Sequence, residues 1–398
     1  MAPKEIRWGI LATGGIAQTF TKDLTVDPTT RGVTKVKHVV VAAASSSSKK
    51  RAEDFLKECN WPNAKAYGSY EDFVKDPNID VIYIATPHSH HYQNAMLCLE
   101  AGKNVLCEKA FTVNAAQAKK LVEKAREKNL FLMEAVWTRW FPLSIYVREQ
   151  ITSGRIGTVY RVQADLSMAD DPDKTYADGK NRMVNMDLAG GAQLDLGIYA
   201  LTWCFQTLYH TQPASERKPP KVQAAMKHFS VTGSDESTTV LLTFPRSEKL
   251  GGDAHAVAMS SIRVATDPAK KNVAGPAIRI QGDKGEIQVF PPAFRPLDTR
   301  VILSDGTVED KHWAQPGPGK GSGFYNGFGE TIQPEGEGQG MFWEADEAAV
   351  AILEGRKEGS FLGLEESIVI METMDEIRKQ GGLKYPDKIE TLNYPVAL

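Results

Sequence analysis

Glu108 and Lys109 follow at once on a short apolar run, Val105-Leu106-Cys107, and much later in the chain Asp195 and Tyr199 stand four residues apart. Lysine, tyrosine and a carboxylate together can move a proton on and off a hydroxyl group. A free tyrosine has a pKa of about 10 and a free lysine about 10.4, so neither is a good base alone at neutral pH. An ammonium beside a phenol lowers the phenol's pKa, so Tyr199 is the candidate base, with Lys109 tuning it and hydrogen-bonding the substrate oxygen. The reverse assignment stays open. Asp195 would orient the lysine or bind a substrate hydroxyl. Each residue also has a plainer reading, because a Glu-Lys pair in a loop is usually solvated and a tyrosine on an apolar helix is usually core. The surrounding elements decide between the readings.

In an open parallel sheet, ligands sit outside the carboxyl ends of the strands, so Lys109 matters only if it closes such a strand. The preceding chain reads that way. Ile6 to Leu11 is an apolar strand, and Ala12-Thr13-Gly14-Gly15-Ile16-Ala17 opens a helix. The stretch is similar to the Gly-x-Gly-x-x-Gly/Ala turn that brings a pyrophosphate against a helix N-terminus, with Ala12 in the first glycine position. Ala12, Thr13, Gly14, Gly15 and Ile16 are therefore candidate cofactor contacts. Val36 to Ala44 reads as a strand buried on both faces. After it come Ser45-Ser46-Ser47-Ser48-Lys49-Lys50-Arg51, where an NAD-binding chain usually places an acid for the ribose. Without that acid, Ser45, Ser46 and Arg51 suit a 2′-phosphate, and the expected cofactor is NADP. Ser47 or Ser48 caps the next helix.

Val81 to Ala85 is a further central strand, ending in Thr86-Pro87-His88-Ser89-His90-His91, with a helix from about Tyr92 to Ala101. Three histidines suggest a metal. Only His88 and His91 could share a face, however, and no Cys or acid stands nearby to complete a shell. A loop against the nicotinamide ribose is the preferred reading, with Thr86, Pro87, His88 and His91 as contacts and no metal. Glu108 and Lys109 then close the next strand beside the cofactor. Asn114 caps a helix to about Lys128, Phe131 to Glu134 is a sixth strand, and Trp137 and Arg139 follow over the crevice as candidate cofactor and substrate contacts. Strand and helix alternate throughout residues 1–135, as a doubly wound sheet requires.

After Pro142 the texture changes. A helix to about Ser153, a strand from Thr158 to Leu166 and a polar loop from Ala169 to Asn185 precede Gly190-Gly191 and a long apolar helix to about His210. Asp195 and Tyr199 share a face of that helix, and Gly197 is expected to keep the surface between them low. Strand signals dominate 221–304: Val222–Ser230, Thr238–Phe244, Ala256–Ala265, Ala277–Gln281, Glu286–Phe290 and Thr299–Leu303, with a hairpin turn at Asp283-Lys284-Gly285. Several alternate, as in a sheet with one packed face. Gly317 to Gly340 reads as a long exposed loop, and helices follow at Met341–Glu354 and Glu365–Gln380.

The 398 residues call for two domains, 1–135 and 136–398. A net charge of −3 argues against nucleic acid or an anionic membrane as partner. No run suits a transmembrane helix, the N-terminus has no apolar signal core, and the four cysteines lack metal-site spacing. The expectation is a cytoplasmic protein with reduced thiols.

Four motifs in order, Ala12–Ala17, Thr86-Pro87 to His91, Gly102-Lys103 to Glu108-Lys109, and Gly190-Gly191 to Asp195 and Tyr199, resemble the glucose-fructose oxidoreductase / inositol dehydrogenase (GFO/IDH/MocA) family over nearly the whole chain. The match is nearest its dimeric dihydrodiol dehydrogenase and fungal NADP-dependent D-xylose dehydrogenase branches. The resemblance implies a Rossmann domain followed by an open, mostly antiparallel β-sheet domain that dimerises through its sheet. It also implies Lys109 and Tyr199 as the catalytic pair, and hydride transfer from C1 of an aldopyranose to NADP. Oxidation of a dihydrodiol is the alternative. A non-catalytic NADP-binding regulator of the same fold would lack the pair. Ala110 stands where many relatives carry proline, and Tyr199 where the inositol branch carries histidine, which moves the expected substrate away from inositol.

Overall fold

The computed structural model describes residues 2–271, 273–327 and 334–398. Strand and helix alternate first: β1 Lys4–Leu11, α1 Gly15–Asp23, β2 Val36–Ala44, α2 Lys49–Glu58, β3 Lys65–Tyr67, α3 Tyr70–Phe73, β4 Val81–Ile84, α4 His88–Glu100, β5 Asn104–Glu108, α5 Ala115–Glu127 and β6 Leu132–Ala135. The strands lie in the order β3-β2-β1-β4-β5-β6, all parallel. The order reverses between β1 and β4, which opens a crevice at their carboxyl ends. Ser48, Ser69 and Asn114 cap α2, α3 and α5 through their side chains. No side chain caps α1 or α4, so their first amides are open to an anionic ligand at the sheet's carboxyl edge. Helix α4 begins at His88, four residues before the expected start.

Strand β2 has the expected bounds but is not buried on both faces. Lys37 is exposed, and His38 turns inward, where it accepts from Trp8 Nε1 at 3.0 Å.

The second sheet has eight strands. After α6 Pro142–Thr152 come β7 Val159–Ser167, the short α7 Pro172–Thr175 and α8 Ile198–Leu208. Then follow β8 Lys221–His228, β9 Asp235–Phe244, β10 Ala254–Ser261, β11 Ile278–Gly282, β12 Gly285–Val289, β13 Asp298–Leu303 and β14 Val308–His312. Their order is β14-β13-β12-β11-β7-β10-β9-β8, antiparallel except where β7 meets β10. Asp283 and Lys284 form the hairpin turn as expected. Strand β14 was not legible because all five of its residues, Val-Glu-Asp-Lys-His, are exposed; it is a charged edge strand. On β9 and β10 the alternation is plain: Val240, Leu242, Ala256 and Ala258 face inward, while Leu241, Val257 and Met259 line the outward face.

Three C-terminal helices, α9 Phe342–Leu353, α10 Leu364–Gly381 and α11 Asp387–Glu390, tie the two sheets together. Asp346 on α9 pairs with Arg31 at 2.5 Å and with His38 at 2.8 Å. Helix α10 accepts the Ala115 amide through Asp375 at 2.9 Å and the Ala224 amide through Gln380 at 2.8 Å. The glycine-rich segment is not simply exposed. Buried Asp23 accepts from the amides of Gln339, Gly340 and Met341 and from Asn326 Nδ2, all within 2.6–2.8 Å. A Cβ on Gly317 would lie 2.0 Å from the Gly336 carbonyl, so glycine is what lets these strands of loop close on each other. Residues 328–333 of the expected loop lie outside the described residues. All four cysteines are buried and unpaired.

Candidate active site

Lys109 follows the last residue of β5, and its ammonium is held by one residue. Lys109 Nζ donates to Asp195 Oδ1 and to the Asp195 carbonyl, both at 2.7 Å. The same Oδ1 lies 3.3 Å from Arg182 Nη1 and 3.8 Å from His88 Nε2. Only 11% of either the Lys109 or the Asp195 side chain is exposed. Burial alone would raise the Asp195 pKa, but Arg182 and Lys109 outweigh it and hold the carboxyl well below the usual carboxylate range. Burial pushes His88 down to about 3, so its ring is neutral.

Asp195 does not sit in a regular α-helix as expected. Gln193–Gly197 form a π turn, with the Ile198 amide bonded to the Gln193 carbonyl, before α8 begins; such wide turns concentrate at functional sites. Nor does Gly197 clear the crevice. A Cβ there would lie 2.7 Å from the Gln193 side-chain oxygen, so the glycine makes room for Gln193.

Tyr199 also lies beside Lys109, whose Nζ is 5.1 Å from the ring centroid. Its hydroxyl oxygen accepts from Trp137 Nε1 at 2.7 Å. Phe294 stacks on Trp137 and leans on Tyr199, with both centroid distances 6.0 Å. The Tyr199 phenol is shifted upward in the free chain. Burial and then the Glu108 carboxylate push it well above 10. Burial also lifts Glu108, to about 7; it accepts a hydrogen bond from the Tyr83 hydroxyl and one from the Lys109 amide at 3.2 Å.

Other expected residues fall in two groups. His91 spans the Ala110 and Thr86 carbonyls at 2.8 Å each and so fixes the loops after β4 and β5 to each other. Asn94 donates to the Thr86 hydroxyl at 3.1 Å, and Pro87 is the residue before α4. Arg139 is not brought to the crevice. It is fully buried, donates to the Phe361 carbonyl and pairs with Glu366 at 2.8 Å, because the 3-10 turn Trp137–Trp140 sends it inward while Trp137 faces Tyr199.

The dinucleotide residues form a second cluster. Ala12 has φ +91°, the left-handed backbone that explains why glycine is usual at this position. Space over Gly14 is open, with nothing within 4 Å of an added Cβ. Beyond β2, Ser45 is buried and bonded to Ser47, while Ser46 and Arg51 are exposed. An open glycine turn, uncapped helix amides and an exposed arginine, with no acid at the end of β2, suit a dinucleotide carrying a 2′-phosphate.

Arg182 and Phe294 were missed. Gly190 held the signal for Arg182. A Cβ there would lie 2.6 Å from the Arg182 carbonyl, so Gly-Gly marks where the polar loop closes over the start of the helix. Phe294 lies in an irregular connection with no periodicity to betray it.

An NAD-binding Rossmann oxidoreductase model, GFO_IDH_MocA, matches residues 6–136, and the GFO/IDH/MocA C-terminal domain model matches 145–288. The chain belongs to the GFO/IDH/MocA oxidoreductase family. It is 53% identical over 395 residues to the D-xylose 1-dehydrogenase (NADP(+)) of Hypocrea jecorina, covering 98% of this chain and 95% of that one. It is 34% identical to the trans-1,2-dihydrobenzene-1,2-diol dehydrogenase of Homo sapiens, covering 96% and 98%. Among solved structures, the fold matches an aldose-aldose oxidoreductase from Caulobacter crescentus with a TM-score of 0.71 at 19% identity, covering 95% of this chain and 98% of the other. A 3-ketoreductase from Actinomadura kijaniata in complex with NADP matches at 0.69 and 20% identity, with the same coverage.

Proposed function

We propose that this chain oxidises the C1 hydroxyl of an aldopyranose, D-xylose foremost, with NADP, giving the aldonolactone. The observation that carries the reading is the 53% identity, over almost the full length of both chains, to a D-xylose 1-dehydrogenase (NADP(+)). The cluster of Lys109, Asp195 and Tyr199 supports it. Residues 1–135 are the proposed cofactor domain and 136–398 the substrate domain.

Oxidation takes a proton from O1 and a hydride from C1. When bound, NADP supplies the hydride acceptor and a positive charge near the phenol; Ala12 to Ile16, Ser46 and Arg51 would hold it. The chain's own groups handle the proton. Lys109 has three N–H donors and spends two on Asp195, which leaves one for O1. Tyr199 Oη accepts from Trp137 and is the proposed proton acceptor. Its raised pKa keeps it protonated in the free chain, so it becomes a base only when positive charge enters the crevice. Asp195 fixes the Lys109 geometry, which is the positioning part of the catalysis.

A second reading is oxidation of an aromatic dihydrodiol. The Trp137–Phe294 stack offers a ring an apolar wall, and the 34% identical relatives are named for that reaction. Reduction of NADP or NAD followed by nicotinamide absorbance, with a panel of aldoses and a dihydrodiol, separates the two. Turnover of the diol with none of D-xylose would replace the first reading by the second.

The proposed setting is the cytoplasm, and the proposed assembly is a two-fold dimer. The outward Leu241, Val257 and Met259 face suits a second copy. A sedimentation mass of one 43.8 kDa chain at micromolar concentration would refute the dimer.

A further inference from the structure

The Lys109–Asp195 pair is closed on its solvent side by a third charge that the mechanism does not use. Arg182 reaches Asp195 Oδ1 at 3.3 Å, yet 55% of its side chain is exposed. Among the described residues this is its only ion pair. A guanidinium carries five N–H donors in a fixed fork, so most of its donors are unspent. The position is built. The Gly191 amide bonds to the Met183 carbonyl at 2.8 Å and the Gly190 amide to the Asn185 carbonyl at 2.9 Å. The Met183 amide bonds to Asn181 Oδ1 at 2.9 Å. These bonds hold the loop backbone on both sides of Arg182. Trp137 and Phe294 stack on each other beside Tyr199. A substrate hydroxyl on Lys109 therefore stands near both the aromatic Tyr199 ring and the half-exposed Arg182 side chain.

We propose that Arg182 is a specificity-determining residue that donates hydrogen bonds to a ring hydroxyl of the substrate other than the one oxidised. The proposal rests on the aldopyranose reading above. It follows from the geometry in two steps. Lys109's remaining donor is committed to the reacting oxygen, so the other hydroxyls need different donors. Arg182 shares Oδ1 with Lys109, which puts its free N–H groups within one sugar ring of that oxygen. A neutral hydroxyl bound to a charged donor makes a stronger hydrogen bond than one bound to a neutral donor. A substrate lacking that hydroxyl would leave the guanidinium with nothing to bind.

The test is a cycle between enzyme and substrate. D-xylose and its 2-deoxy, 3-deoxy and 4-deoxy analogues are compared on wild type and Arg182→Leu, with kcat/KM as the readout. In wild type, one analogue should lose roughly 10- to 100-fold, the range for a hydrogen bond to a charged group. In Arg182→Leu, D-xylose should fall by a similar factor and that analogue should fall little further, because the lost bond is the same one. NADPH fluorescence on binding checks that the variant is folded. If it is not, Arg182→Lys serves in the same cycle, with the penalty reduced. A common factor lost from all four sugars would mean that Arg182 acts only through the fold or through Asp195, and would overturn the proposal. So would a deoxy penalty unchanged by the substitution. Wild type that oxidises no aldose would instead sink the functional reading, and the Arg182 proposal with it.

Discussion

Tyr199→Phe removes one oxygen, but in this structure that oxygen has two jobs. It is the proposed proton acceptor, and it is the acceptor for Trp137 Nε1 at 2.7 Å. Trp137 is 2% exposed, so its N–H finds no water to replace the lost partner. A buried donor left unsatisfied costs about 1–3 kcal/mol. Turnover should fall by roughly 10²–10⁴, the usual loss for a positioned acid–base group. The two effects can be separated. Trp137→Phe alone removes the donor, and Trp137→Phe with Tyr199→Phe removes both. The double variant should therefore be more stable than the sum of the single losses predicts, while its turnover stays low. Urea unfolding gives the stability and steady-state NADPH formation the turnover, with NADPH binding measured to show an intact cofactor site. Near-normal turnover in Tyr199→Phe would refute the role of the phenol and leave Lys109 to act alone or through water. Additive stability losses would refute the assigned cost of the orphaned indole.

Arg51→Ala should weaken NADP by roughly 10- to 100-fold, the loss of a charge-assisted bond, and leave NAD nearly unchanged; equal losses in titrations of both cofactors would show that Arg51 does not meet the 2′-phosphate. Burial lifts Glu134 from 4.5 to about 7 despite bonds from Ser367 and the Phe111 amide. Across that window the folded chain holds a proton that the unfolded chain has released, so this residue's contribution to stability is lost as pH rises from about 4.5 to about 7. At about 1.36 kcal/mol per unit, the loss is about 3 kcal/mol. Glu134→Gln should gain on wild type by that order between pH 5 and pH 8 in urea unfolding, and a constant difference across pH would contradict it.

Much of the molecule could be read from residue order, for physical reasons that differ by element. The parallel strands show as apolar runs because their central residues are covered on both sides. Lys109 shows because a charge directly after such a run must sit at the sheet's ligand edge. Asp195 shows through its spacing from Tyr199, although the turn that carries it is wider than an α-helix. Other features depend on contacts made far apart in sequence. The pairing of Asp346 with Arg31 and His38 returns α9 to the first sheet, and no local pattern announces it. Arg182 lies in a loop whose polarity looks like solvation until Gly190 is seen to admit its backbone. Arg139 was expected in the crevice because it follows Trp137 so closely, but Glu366, more than two hundred residues on, draws it into the core. Strand β14 lacks the apolar alternation because it has no buried face.

The central claim is that hydride leaves C1 of an aldopyranose for NADP. D-xylose carrying deuterium at C1 tests it directly, with mass spectrometry of the reduced cofactor and of the sugar product. The account predicts one deuterium in NADPH and none in the lactone. Deuterium retained in the sugar, with NADPH unlabelled, would contradict it.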